Sequence, residues 1–113
     1  MAIEKMPIIV PEYERKYEEI IKQKLLFLFK NTTAKIFLYG SRARGDYRHG
    51  ADFDIAVESI DYQEFQRLKI QFETFWEESI VPYTVDLVFF ENVNSEFKKE
   101  AKKNIVLWKT EQS

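Results

Sequence analysis

Gly40-Ser41 is followed, after ten residues, by Asp52-Phe53-Asp54, and a third carboxylate, Asp86, sits inside the apolar run Val85-Asp86-Leu87-Val88-Phe89-Phe90. Residues two apart on a strand point the same way, so Asp52 and Asp54 converge while Phe53 faces the opposite layer. Carboxylates held that close repel one another unless a cation neutralises them, and Mg²⁺, a hard ion bound by oxygen, is the natural candidate. Taken alone, the Asp-x-Asp pair reads as the wet side of an edge strand. Asp86 shifts the balance, because a charge within an apolar strand is costly unless it is paired or metal-bound. A buried salt bridge to Arg42 or Arg44 is its competing explanation. Three carboxylates on two neighbouring strands suit two Mg²⁺ ions roughly 3.5–4 Å apart, clamping the attacking and leaving oxygens of an in-line phosphoryl displacement. That chemistry favours nucleotidyl transfer.

Gly40-Ser41 is expected where a strand gives way to a helical turn. Backbone N–H groups there, with the Ser41 hydroxyl, can hold phosphate oxygens, and Gly40 lets a triphosphate approach the backbone closely. An ordinary loop is the alternative if the downstream aspartates are ignored. Arg42 and Arg44 could neutralise phosphate charge through the planar guanidinium fork, or simply be solvated. The candidate catalytic and metal-binding residues are therefore Asp52, Asp54 and Asp86, and the candidate nucleotide-binding residues are Gly40, Ser41, Arg42 and Arg44. His49, the single histidine, has no telling neighbour and takes no role. Lys98, Lys99, Lys102 and Lys103 fall opposite an apolar stripe and read as a solvated face rather than an anion site.

The elements that must position these residues follow from periodicity. Pro11 suits the first position of a helix whose apolar residues Tyr13, Tyr17, Ile20, Ile21, Leu25 and Leu28 recur at helical spacing as far as Lys30. Ala34–Tyr39 reads as a buried strand stopped by Gly40, Ser41–Arg44 as one helical turn, and Phe53–Val57 as a second strand. Asp61-Tyr62-Gln63-Glu64 has the spacing of a capping box, with Ile60 and Phe65 as its hydrophobic staple, so a helix with a Tyr62, Phe65, Leu68, Phe72 stripe is expected there. Tyr83–Phe90 is apolar enough to be a strand buried on both faces. Asn94 can cap a last helix bearing Phe97, Ala101, Ile105 and Trp108. Strands alternating with helices predict an α/β or α+β class around a small sheet.

At 113 residues the chain is expected to be one domain, 1–113, with no room for an acceptor-binding domain. Residues 1–10, which include the apolar Ile8-Ile9-Val10, are read as a lead segment, flexible, serving as a partner surface or forming part of the core. With 17 basic and 19 acidic residues the net charge of −2 gives no reason to expect strong nucleic-acid binding. The absence of cysteine excludes a disulfide framework and a thiolate metal site, and no apolar run reaches the length of a membrane span. A cytoplasmic location is expected, and homo- or hetero-oligomers remain open.

Tyr39-Gly40-Ser41-Arg42-Ala43-Arg44-Gly45, the ten-residue gap, Asp52-Phe53-Asp54 and Val85-Asp86-Leu87 together resemble the minimal nucleotidyltransferases of the DNA polymerase β superfamily. The resemblance covers about residues 34–90. It implies a nucleotidyltransferase fold with a small mixed sheet flanked by helices. It also implies ATP as substrate, Gly40 and Ser41 on the triphosphate, and Asp52, Asp54 and Asp86 as the Mg²⁺ triad. One departure stands out: Ala51 occupies the position before the first aspartate, where such proteins usually carry serine. Proteins of this size in the family are commonly antitoxins of HEPN-domain toxins, which they neutralise by transferring AMP to a tyrosine; a helical partner protein is therefore the implied acceptor. Two other functions compete with this one, a non-catalytic antitoxin that masks its partner and a nucleotidyltransferase acting on a small molecule such as an antibiotic.

Overall fold

The computed structural model describes residues 12–48 and 50–110, with the side chain of Tyr13 left aside. The expectations placed on the 1–10 lead, on Pro11 and on His49 lie outside the described residues. The elements run α1 (Glu12–Leu28), β1 (Lys35–Tyr39), α2 (Ser41–Arg44), β2 (Phe53–Glu58), α3 (Tyr62–Glu77), β3 (Val85–Phe89), a 3₁₀ turn (Phe90–Asn92), α4 (Ser95–Ala101) and β4 (Val106–Lys109). The four strands form one mixed sheet in the order β3-β2-β1-β4, with β1 antiparallel to β2 and β4 and β2 parallel to β3.

Alternation along the strands separates two cores. On one face Ile36, Leu38, Phe53, Ile55, Val57 and Leu87 pack with Ile21, Leu25 and Phe29 of the α1 region and Phe65, Leu68 and Phe72 of α3. On the other face a smaller aromatic cluster joins Phe37, Tyr39, Ala56 and Phe90, flanked by Val88, Val93, Ala101 and Ile105. Asp54 and Asp86 have the strand parity of Ala56 and Val88, so they belong to this second face, which α4 only partly covers.

α3 starts where its cap residues direct. The Asp61 carboxylate accepts from the backbone N–H of Gln63 and of Glu64, worth about 1 kcal/mol for such a cap. The Glu64 carboxylate is engaged by Arg67 on the helix surface. Tyr62 is exposed, so the core stripe of α3 begins at Phe65.

Two expectations are corrected. β3 is not buried on both faces: it is an edge strand in which only Leu87 is buried and Asp86 is exposed. The crossover through α3 delivers it to the rim of the sheet, where one flank stays open whatever its apolar content. The last helix also ends at Ala101, and Trp108 belongs to a fourth strand. Asn94 does cap α4, accepting from the Phe97 N–H. The spacing of Phe97, Ala101, Ile105 and Trp108 is helical, yet Ile105-Val106-Leu107-Trp108 is also a short apolar run, and the open edge of β1 pairs with it.

Candidate active site

Tyr39, Asp54 and Asp86 stand side by side across three strands. Tyr39 is the register partner of Asp54 in the antiparallel β1–β2 pair, and Asp54 that of Asp86 in the parallel β2–β3 pair. These three form the floor of a cavity of about 570 Å³. Gly40, Ser41 and Arg44 make one wall; Phe97, Glu100, Ala101 and Asn104, from α4 and the turn after it, make the other.

The turn after β1 is built around a glycine. Gly40 has φ 74° and ψ −154°, a region open essentially to glycine alone. A Cβ there would lie 2.5 Å from Asp54 Oδ2, so the missing side chain is what allows the carboxylate to approach the turn. Gly40 precedes α2 and its carbonyl accepts from the N–H of Ala43 and of Arg44, while Gly45, in the left-handed region at φ 84°, closes the turn by donating to the Ser41 carbonyl. Amide N–H groups at the start of such a turn, with no side-chain cap, can donate to a phosphate oxygen.

The electrostatics point the same way. Burial raises the Asp54 carboxyl above the usual aspartate value; Asp86 and then Asp52 raise it further, and Arg44 opposes them. Burial, with Asp54 and Asp86 adding to it, pushes the Tyr39 hydroxyl up to about 12, so Tyr39 meets a ligand as a neutral hydroxyl. Asp54 and Asp86 offer an all-oxygen donor pair of the kind a hard divalent cation takes, and the raised Asp54 carboxyl is what burial, with like charge added to it, produces. Asp52 is exposed one residue before β2, close enough for its charge to reach Asp54. Among the described residues, no three carboxylate or imidazole side chains are already gathered as a cation cage.

Of the residues singled out in the sequence, Gly40, Ser41, Arg44, Asp54 and Asp86 meet at the cavity, and Asp52 flanks it. Arg44 is exposed and pairs with Asp46 at 3.2 Å. Arg42 is a correction: its side chain is only 1% exposed, its Nη2 lies 2.6 Å from Glu14, and it does not line the cavity. α2 is a single four-residue turn, and Arg42 falls on its side facing Glu14 of α1. Nor is Asp86 buried in a salt bridge; Arg42 is taken by Glu14 and Arg44 by Asp46. The sequence reading missed the α4 wall. Its signal was present in Phe97, Glu100, Ala101 and Asn104 at i, i+3, i+4 and i+7, one helical face that mixes apolar with polar side chains.

The chain belongs to the nucleotidyltransferase domain family, whose model matches residues 13–108. Members generally use a nucleoside triphosphate and a divalent metal. Among solved structures the chain is similar to that of a toxin–antitoxin with AMP-PNP, with a TM-score of 0.55, 19% identity and coverage of 79% of this chain and 73% of that one. It is also similar to a structure described as a candidate minimal nucleotidyltransferase, with a TM-score of 0.54, 18% identity and coverage of 81% and 92%. At these identities the likeness is one of fold. No curated protein matches the sequence significantly. Among the described residues no helix is long and apolar enough to cross a membrane.

Proposed function

We propose that this protein transfers AMP from ATP to a hydroxyl of a partner protein, with loss of pyrophosphate, and that the acceptor is a tyrosine of a helical HEPN-domain toxin. The observation that carries the reading is the parallel register that sets Asp54 beside Asp86 under the Gly40-Ser41 turn. In it, the amides of that turn and the Ser41 hydroxyl hold the β- and γ-phosphates, and the Arg44 guanidinium offsets their charge. Asp52, Asp54 and Asp86 are the residues to hold two Mg²⁺ ions. When bound, the metal supplies charge neutralisation on the phosphates and polarises the attacking and leaving oxygens. The base lies against the Phe97 ring, with Asn104 at the same wall to meet its polar edge.

A cavity of about 570 Å³ accommodates one nucleotide-sized ligand. The acceptor then approaches the rim beside the exposed Asp86, where a hydroxyl carried on a partner's surface can reach the bound nucleotide. The fold shared with a structure of a toxin–antitoxin carrying AMP-PNP fits this arrangement. Covalent AMP adds bulk and negative charge, so near a ribonuclease site it would repel the RNA backbone.

A second reading, masking of the partner without catalysis, draws on the exposed position of Asp52 and the lack of a gathered three-carboxylate cage among the described residues. The test co-expresses the product of the neighbouring gene with wild type or with an Asp52→Asn, Asp54→Asn variant and follows growth and partner mass. Protection by wild type alone, with the partner heavier by one nucleotide, is expected. Equal protection by the variant, with no mass change, would replace catalysis by masking.

A further inference from the structure

The buried ion pair beneath α2 has a geometry that stability alone does not require. Arg42 Nη2 donates to Glu14 Oε1 at 2.6 Å and to the Ala51 carbonyl at 2.7 Å, and Arg42 Nε donates to that carbonyl at 2.9 Å. The same Glu14 oxygen accepts from the Gly50 N–H at 3.2 Å. The guanidinium carbon lies 3.9 Å from the centre of the Phe53 ring and 4.6 Å from that of Tyr47. Two residues from distant parts of the chain thus grip the Gly50–Ala51 backbone immediately ahead of Asp52.

We propose that Arg42 and Glu14 are positioning residues that hold Asp52 and the head of β2 against the α2 turn for the transfer reaction; the inference rests on the functional reading above. The Ala51 carbonyl and the Asp52 N–H share one planar peptide unit, so fixing that oxygen fixes the plane from which Asp52 departs. Phe53 N–H donates to the Thr84 carbonyl, which ties the next step of the chain to the approach of β3. Asp52 is thereby held from both sides although its own side chain is exposed. Arg42 also belongs to α2, so a single guanidinium ties the phosphate-holding turn to the backbone that leads into Asp52. A buried pair of this kind is often no more stabilising than apolar residues of the same volume, which leaves geometry as its use. Ala51 contributes only its carbonyl to this clamp, so the residue that departs from the usual serine serves through its backbone.

The test uses Arg42→Lys, which keeps the charge but cannot reproduce the planar fork, and Glu14→Gln, which keeps an acceptor oxygen without the charge. Ile21→Val, in the core of α1, serves as a control for a loss of stability remote from the site. Amide exchange of Gly50, whose N–H donates to Glu14, and of Ala51, whose N–H donates to the Arg48 carbonyl, is read by NMR, and the transfer rate and the KM for ATP are read well below every melting temperature. In Arg42→Lys, Gly50 and Ala51 should exchange at least about tenfold faster while Ile55 keeps its wild-type rate. Its kcat should fall on the order of tenfold to a hundredfold with the KM for ATP within about threefold. Glu14→Gln should show the same pattern more weakly, and Ile21→Val neither effect. Exchange at Gly50 and Ala51 within twofold of wild type in both variants overturns the clamp. Faster exchange with a kcat matching that of Ile21→Val overturns its positioning role. The exchange measurement does not depend on turnover, so it decides the clamp even if wild type transfers nothing and the functional reading fails.

Discussion

Replacing Gly40 by alanine would place a methyl carbon 2.5 Å from Asp54 Oδ2 and 3.3 Å from its Cγ. Real Cβ atoms essentially never approach a neighbour below 3.0 Å, so the carboxylate must retreat by about 0.5 Å or more. Two costs combine. Backbone at φ 74° and ψ −154° is closed to alanine at about 1–3 kcal/mol, and an overpacked contact adds about 1–3 kcal/mol. The sum, about 2–6 kcal/mol, corresponds at about 4 °C per kcal/mol to a fall in Tm of about 8–24 °C. Misplacing a reacting group by 1 Å can cost about a hundredfold in rate, so a half-ångström retreat of Asp54 should cost on the order of tenfold in kcat. Gly45 is the internal control, since it too has positive φ, at 84°, but nothing lies within 4 Å of an added Cβ. Gly45→Ala should carry only the backbone cost, about 1–2 kcal/mol, with little change in kcat. Removing the obstacle in a Gly40→Ala, Asp54→Ala double variant should recover the steric part of the Tm loss, because the Asp54 Cβ stays at an ordinary 3.5 Å. Thermal melts and steady-state rates decide the matter. If Gly40→Ala melts with Gly45→Ala and keeps its kcat, the close approach of Asp54 to the turn is not what Gly40 provides.

Three further outcomes are expected. Because the Asp54 carboxyl is raised by burial and by Asp86 and Asp52, its charge opposes folding at neutral pH, and its favourable contribution is present only below the ordinary aspartate value and lost as pH rises through the raised one. Asp54→Asn should therefore raise Tm at pH 7 and lose that advantage below about pH 4, and Mg²⁺ should stabilise wild type but not the variant; a lower Tm at pH 7 would contradict this. Lys109, buried in β4, donates through Nζ to the carbonyls of Thr32, Ala34 and Thr110. Lys109→Met leaves those oxygens without their donor and should cost about 1–3 kcal/mol in a denaturant titration, against the alternative that burial of the ammonium makes its removal neutral. Finally, Phe97→Ala should raise the KM for ATP severalfold with a smaller effect on kcat, since the ring forms part of the cavity wall and holds none of the reacting groups; a change in kcat alone would place the base elsewhere.

Local signals in the sequence were enough for most of the scaffold. Asp61 caps α3 as its spacing indicates, Gly40 ends β1, and the Asp-x-Asp and Val-Asp-Leu segments fall on adjacent strands with Asp54 opposite Asp86. What was not legible depended on long-range packing. Strand order decides whether Tyr83–Phe90 lies inside the sheet or at its rim, and no local pattern encodes strand order. The argument that Asp86 is buried therefore failed, although its neighbourhood with Asp54 stands. Arg42 and Arg44 look equivalent two residues apart, but on a single helical turn they face different ways, and the partner that claims Arg42, Glu14, is twenty-eight residues upstream. β4 was hidden because Phe97, Ala101, Ile105 and Trp108 satisfy a helical period, whereas the unpaired edge of β1 rewards a strand.

The most direct test of the central claim is a label-transfer measurement with ATP carrying the label at either the α- or the γ-phosphate. Wild-type protein, Mg²⁺ and the product of the neighbouring gene are incubated with each form, beside the Asp52→Asn, Asp54→Asn variant. Transfer of the α-label to the partner, none of the γ-label, and no transfer by the variant are expected of a site in which Asp54 and Asp86 meet beneath the Gly40-Ser41 turn. Undiminished α-label transfer by the variant, or transfer of the γ-label instead, would contradict it.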